Sequence, residues 1–294
     1  MKNIVCFGEV LWDVFPNHKT IGGAPLNVAL RLQSFGHKVA MITKIGKDAL
    51  GETIFEYIKT NGVEVDYIQK DDHLKTGEVE VSLNEEGSAT YVIHAPRAWD
   101  AIELTEAAKQ ITATSDAFIF GSLVARTAVS KATLYRLIDC APYKIFDVNL
   151  RAPYYSLEEL NYLMNAADFI KFNDDEIFEI CNSLYGKSIA LEECIRLISK
   201  QTSTASICVT LGAKGAVLFV DNEFYYNAGY TVNVIDTVGA GDAFLATLTH
   251  KLLTGSTPQK AINYACAVGA YVASQAGANP KFEKEDIEKL MLSI

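Results

Sequence analysis

Two carboxylates, Asp236 and Asp242, bracket the small residues Gly239-Ala240-Gly241, and a helical pattern follows at once in "NVIDTVGAGDAFLATLTHKL" (233–252). The first amides of a helix have no internal partner and lie at the positive end of the helix dipole. Glycines let such amides converge and leave room for a ligand. The place favours an anion, most often phosphate. An acid in the first turn would then stand beside that anion, which is awkward as structure because the charges repel. As chemistry it makes sense, since a carboxylate next to a transferring phosphoryl group can accept the proton of an attacking hydroxyl. The plainer alternative is that Asp242 only caps the helix or complements its dipole.

The nucleotide motifs that could compete are missing. There is no GxxxxGK[ST] loop. After the first strand, "CFGEVLWDV" carries one glycine where a dinucleotide fold needs three. The 294 residues have a net charge of −10, so nucleic acid and anionic membrane are not expected partners, and an anionic substrate must be attracted locally. Six cysteines are scattered without a CxxC pair, and the five histidines show no HxxxH or HExxH spacing. Neither a zinc ribbon nor a histidine metal cluster is suggested. With no secretory pattern and no apolar stretch of membrane length, a cytoplasmic protein with reduced thiols is expected.

The elements that must position these residues alternate. Runs at 3–10, 39–46, 117–122, 144–149, 168–173 and 206–212 are apolar at nearly consecutive positions, as strands covered on both faces require. Helical patterns lie at 25–36, 49–61, 104–113, 128–140, 156–166, 174–183 and 190–201. Strand–helix repeats of this kind build a mostly parallel sheet with helices on both faces. The segment 76–96 instead alternates, with Val79, Val81, Leu83, Tyr91 and Ile93 on one face and "NEEG" as its turn. It reads as a hairpin of a small inserted sheet, to which "WDVFPNHKT" (12–20) could add strands. A single α/β domain over 1–294 is expected, with a lid formed by about 12–20 and 76–98. Helices at 243–253, stopped by Gly255, and at 258–276 close the chain; the small residues of the second imply close helix packing.

"DTVGAGDAF" (236–244) resembles the C-terminal signature of the ribokinase-like (PfkB) carbohydrate kinases. "GGAPLNVALRLQSFG" (22–36) with "IGKDALG" (45–51) resembles the N-terminal signature of that family, "NDDE" (173–176) its NxxE motif, and "VTLGAKGA" (209–216) its nucleotide-side strand and turn. They occur in family order across almost the whole chain. Within the family, "GEVLWDVFP", "GGAPLNVA", "AWD", "FGSL" and "DVNLR" look most like bacterial fructokinases.

The resemblance implies the three-layer α/β/α ribokinase-like fold and ATP-dependent phosphorylation of a primary hydroxyl on a free sugar, D-fructose to fructose 6-phosphate first. Asp242 matches the catalytic base, and Gly239, Ala240 and Gly241 match the anion hole. Asn173 and Glu176 match the pair that orders Mg2+ and the phosphates, Glu176 through water. Asp13, Gly23 and Asn27 match residues that hold sugar hydroxyls, and Lys44, following the second core strand, falls at another sugar contact. Thr210, Gly212 and Gly215 match the turn lining ATP, and Asn279 falls beside adenine. Asp236 matches the acid of a monovalent-cation loop, so K+ is a candidate activator. A homodimer through the lid is also implied.

From the residues themselves, Asp13 and Asn27 follow strand ends, where an open parallel sheet binds ligands, although a turn acid and a helix-embedded amide read as well. Arg126 and Arg151 also follow strands and could meet phosphate or a sugar hydroxyl, or could be solvated. Lys214 in its glycine turn could meet a phosphate, and Arg97 could reach in from the lid. Alternatives within the family are kinases of ribose, 2-keto-3-deoxygluconate, tagatose phosphate or a nucleoside. The scarcity of basic residues near the lid favours a neutral sugar. A binding protein that has lost chemistry is the alternative from another class, and the intact Asp242 argues against it.

Overall fold

The computed structural model describes residues 1–83, 89–186 and 189–292, with the side chains of 81–83 and 89–91 excepted. The expected "NEEG" turn and the inward side chains of Val81, Leu83 and Tyr91 lie outside what is described. The chain opens with β1 (Asn3–Phe7), β2 (Leu11–Val14), β3 (Lys19–Gly22), α1 (Ala24–Ser34), β4 (Lys38–Gly46), α2 (Ala49–Thr60), β5 (Ile68–Asp71), β6 (Gly77–Leu83) and β7 (Ala89–Ile93). It continues through α3 (Glu106–Ala113), β8 (Ala117–Gly121), α4 (Ala128–Ile138), β9 (Lys144–Asp147), α5 (Leu157–Ala166), β10 (Phe169–Asn173), α6 (Asp174–Tyr185) and α7 (Leu191–Thr202). It ends with β11 (Ser206–Thr210), β12 (Ala216–Val220), β13 (Glu223–Asn227), α8 (Ala240–Leu253), α9 (Pro258–Ala273) and α10 (Lys284–Leu292).

Nine strands form a mostly parallel sheet in the order β13-β12-β11-β10-β9-β8-β1-β4-β5, and a separate small sheet has the order β3-β2-β6-β7. The chain divides into two compact units, Met1–Phe118 with Val124–Pro142, and Ile119–Leu123 with Tyr143–Ile294.

In the first unit β1, β4 and β5 pair in parallel, and Ile4 to Phe7 and Val39 to Ile42 are buried, which is why these runs lack a polar face. The "IGKDALG" stretch turns the chain into α2. Asp48 accepts hydrogen bonds from the Gly51 amide (2.8 Å) and from the Thr76 amide (2.9 Å) and hydroxyl (2.7 Å). One carboxylate thus caps a helix and ties it to the root of β6. Gly46 and Gly51 are small because an added Cβ would lie 2.6 Å from Asp48 and 2.2 Å from the Gly46 carbonyl, respectively.

In the small sheet β2 pairs antiparallel with β3 and parallel with β6, and β6 pairs antiparallel with β7, with Val79 opposite Ile93. Val79 and Ile93 are buried and Val92 is exposed, the alternation the sequence predicts. Val79 and Ile93 are covered by the chain itself.

In the second unit β9, β10 and β11 are parallel, and β12 and β13 continue antiparallel. The aromatics at 219–226, read from sequence as packing only, lie in these two strands. Their turn is Asp221-Asn222, both left-handed (φ 51° and 67°), an uncommon Asp-Asn pair in place of Asn-Gly. The second late helix ends at Ala273, where the sequence pattern ran to 276. Its small residues serve as expected. A Cβ on Gly269 would lie 3.4 Å from the Ala240 carbonyl, so α9 backs the first turn of α8 closely.

Asp71 closes a turn by accepting the His73 (2.9 Å) and Leu74 (2.8 Å) amides, and it pairs with Lys44 at 2.9 Å. The Leu74 amide first, then Lys44 and His73, outweigh partial burial and hold its carboxyl down at about 2. The folded value lies below the unfolded one, so its stabilisation is present above about pH 4 and is lost as pH falls through about 2. Asp71→Asn should lower the denaturant midpoint at about pH 7, and the gap to wild type should close at about pH 2.

Candidate active site

The glycine turn and the helix start form where the sequence places them. Gly239 caps α8 in the left-handed region (φ 76°), and an added Cβ would lie 2.4 Å from Cβ of Ala278. The Ala240 amide donates to the Thr237 carbonyl (3.2 Å), and the first intrahelical bond runs from Ala243 to Gly239 (2.8 Å). The amides of Gly241 and Asp242 fall between these two bonds and precede the helical ladder. Asp236 braces the loop by accepting the Val238 (3.0 Å) and Gly277 (3.2 Å) amides. The Ile235 and Asp236 amides donate in turn to the Ala273 carbonyl at the end of α9. Asp242 lies in the first turn of α8 and is half-buried.

Beneath this turn is a buried charged group that sequence reasoning missed. Lys171 in β10 and Asp147 at the end of β9 pair at 3.0 Å, with side chains 7% and 6% exposed. The signal was present: "FIKFN" and "KIFD" are apolar runs interrupted by one charge, and lysine is almost never buried unless paired. Burial opposes the charge on Lys171, but Asp147, Glu176 and Asp242 outweigh it and raise its pKa above the ordinary lysine value.

The "NDDE" motif is a capping box. Asn173 Oδ1 accepts the Glu176 amide (2.8 Å), and Glu176 Oε2 accepts the Asn173 amide (2.8 Å). Glu176 Oε1 takes the Leu150 amide (2.8 Å), which ties the segment after β9 to the start of α6. Burial raises the Glu176 pKa, against the pull of Lys171 and the two amides. Arg151, next in chain, is exposed, and its guanidinium turns back to the Leu150 carbonyl (2.8 Å).

Thr210 ends β11, with its hydroxyl on the Phe172 carbonyl (3.3 Å). Gly212 and Gly215 are both left-handed, and a Cβ on Gly215 would lie 1.9 Å from the Asn227 carbonyl. Only glycine therefore allows β13 so close to this turn. Lys214 closes the short 3-10 turn, and Asn279 is half-buried in the loop after α9.

In the first unit Gly22 and Gly23 make room for acid and backbone. A Cβ on Gly22 would lie 2.3 Å from Asp13 Oδ2, and one on Gly23, at φ 111°, would lie 2.4 Å from the Glu9 carbonyl. Asp13 sits within β2, not after a strand end, and Asn27 is buried in the first turns of α1. Lys44 lies inside β4, not after it. Its ammonium is shared among Asp71 (2.9 Å), the Ala101 carbonyl (3.1 Å) and Glu103 (3.4 Å). Arg126 is a buried brace. It grips Asp100 with two 2.7 Å bonds, donates to the His94 carbonyl (2.8 Å) and covers the Trp99 ring at 3.9 Å. Arg97 faces Glu78 at 3.6 Å.

The sequence profile of the pfkB family carbohydrate kinases matches residues 1–285. The chain belongs to this family. It is 29% identical to a probable fructokinase-5 of Arabidopsis thaliana over 99% of this chain and 97% of that one. Its fold is that of a double mutant of the fructokinase from Vibrio cholerae O395, solved with fructose, ADP and potassium ion bound (TM-score 0.85, 24% identity, 99% and 98% of the two chains). A 2-dehydro-3-deoxygluconokinase from Thermotoga maritima is as similar in fold (TM-score 0.86, 21% identity, 99% and 98%).

The turn at Gly239 sets where the first amides of α8 point. Gly239→Ala would force a left-handed alanine, costing about 1–2 kcal/mol, and push against Ala278. Turnover of this kinase should fall about 10²-fold or more, with a smaller change in melting temperature, read by an ADP-release assay beside thermal unfolding.

Proposed function

We propose that the kinase transfers the γ-phosphoryl group of ATP to the primary O6 hydroxyl of free D-fructose. The observation that carries this reading is Asp242 in the first turn of a helix that begins on a left-handed glycine. In this reading Asp242 takes the hydroxyl proton as the oxygen attacks in line, and the Gly241 amide absorbs charge on the phosphoryl group in a turn shaped by Gly239 and by Ala240, whose own amide is spent on the Thr237 carbonyl. Asp13 and Asn27 hold sugar hydroxyls, one as acceptor and one as both donor and acceptor, with Gly23 making space. Thr210, Gly212, Gly215 and Asn279 line the nucleotide. The inserted small sheet acts as the lid of one kinase domain.

A neutral sugar suits the cations of the first unit better than an acidic or phosphorylated one. Arg126, Arg97 and Lys44 face Asp100, Glu78 and Asp71 in turn, so their charge is already answered. That arrangement favours fructose over the sugar acid taken by a 2-dehydro-3-deoxygluconokinase. It also makes Lys44 a support for the turn at Asp71 before it is a sugar contact.

Mg2+ fits this chain as an ion carried on the phosphates. Among the described residues no group of three ligating side chains could hold a metal alone. Glu176 is buried with both oxygens on amides, an acceptor already held in place. Such an acceptor suits an ion that keeps its waters. Glu176 would meet that water shell, and the ion would spread the phosphoryl charge. At the Asp236 loop both carboxylate oxygens already take amides, so K+ would be held by backbone carbonyls.

A cytoplasmic location accords with six free cysteines. No helix of the described residues is long and apolar enough to cross a membrane. A homodimer through the small sheet would use the face of Val92, since Val79 and Ile93 are covered within the chain.

A panel of free sugars in a coupled ADP assay tests the substrate; fructose should give the highest kcat/KM, and preference for a sugar acid would overturn the reading. Asp242→Asn should keep the fold and nucleotide affinity and lose about 10²–10⁴ in kcat. Gly22→Ala should displace the Asp13 carboxylate and raise KM for the sugar about tenfold or more, with a smaller change in kcat.

A further inference from the structure

The Lys171–Asp147 pair has no part in the roles assigned above, and stability alone does not account for it. Taking two charges out of water costs as much as their attraction returns, so an apolar pair of similar volume usually serves a core as well. The placement is also unfavourable on its face. Gly241 has no side chain, and a Cβ there would lie 3.5 Å from Lys171 Nζ. The ammonium therefore faces the first turn of α8, whose dipole is positive at that end. Two positive ends side by side repel unless negative charge is held between them.

Negative charge is what the reaction brings. Asp242 must stay ionised beside a terminal phosphate, and two anions in contact also repel. We propose that Lys171, anchored by Asp147, is the positioning residue of phosphoryl transfer: its buried ammonium holds the Asp242 carboxylate in place and ionised behind the glycine turn, without touching sugar or nucleotide. This rests on the assignment of Asp242 as base. Lys171 suits the task because β10 fixes its backbone, with Asn173 and Glu176 clamping the strand end to α6 two residues on. Asp147 fixes the other end of the side chain. The electrostatic influence of Asp242 on Lys171 points the same way.

The test separates support of chemistry from support of the fold. Lys171→Met leaves Asp147 buried without its cation, so the deciding variant is Lys171→Met with Asp147→Leu, which replaces the pair by apolar side chains. Both variants should lose about 10²-fold in kcat or more, with KM for fructose and for ATP within about threefold of wild type. A double variant with kcat within about threefold of wild type would make the pair structural and overturn the proposal, as would a loss confined to KM. If the double variant does not fold, Asp147→Asn decides. It keeps the ammonium and removes its charged anchor, so kcat should fall about tenfold at unchanged KM, and an unchanged kcat overturns the role. Wild type and Asp242→Asn run beside these. Turnover retained in Asp242→Asn would remove the base, and with it the role of Lys171, whereas an inactive Asp242→Asn beside an active double variant would strike Lys171 alone.

Discussion

The left-handed turn at Gly239 sets the direction of the first amides of α8, and it survives only because no side chain occupies the space against Ala278. Much of the second unit follows from that constraint. Asp236 spends its carboxylate on two amides to hold the loop, the end of α9 receives two more, and Gly269 lets α9 come up against Ala240. Each of these contacts is made by backbone or by the smallest side chains. Close approach, not side-chain bulk, holds this turn in place.

Electrostatic balance imposes the second constraint. Glu176, Asp147 and Asp242 gather beside one lysine, and burial would make any of these charges costly alone. The amides of Asn173 and Leu150 hold Glu176, while Lys171 answers Asp147. These contacts hold the carboxylates inside the protein at the end of parallel strands, where open α/β sheets place their ligands.

The parallel strands and the helices between them were legible because covered strands are apolar at every position and helices repeat at their own period. The small sheet was legible for the opposite reason, since Val79 and Ile93 alternate with polar neighbours. β12 and β13 were not, because their turn uses Asp221-Asn222 without glycine and their aromatics suggested packing. β5 and α10 are short and polar. At the candidate site, the turn at Gly239 and the acid in the first turn of α8 could be read from glycine spacing, and Asn173 with Glu176 could also have been read as a helix cap. Lys171 and Asp147 required the fold, since neighbouring strands bring them together from distant positions. Arg126 and Lys44 show the reverse limit: a cation after or within a strand looks available in sequence, and only the pairing with Asp100 and Asp71 shows that it is engaged.

In the proposed reading the turn at the start of α8 would attract an anion with backbone dipoles, while the molecule as a whole carries a charge of −10. The two act over different ranges. The global field repels a nucleotide at a distance and is screened beyond about 8 Å at physiological ionic strength, whereas the amides act at contact, where dissolved ions do not intervene. In that reading dissolved salt would favour arrival of the nucleotide without loosening the grip on it, the reverse of what a binding site built from surface lysines would show.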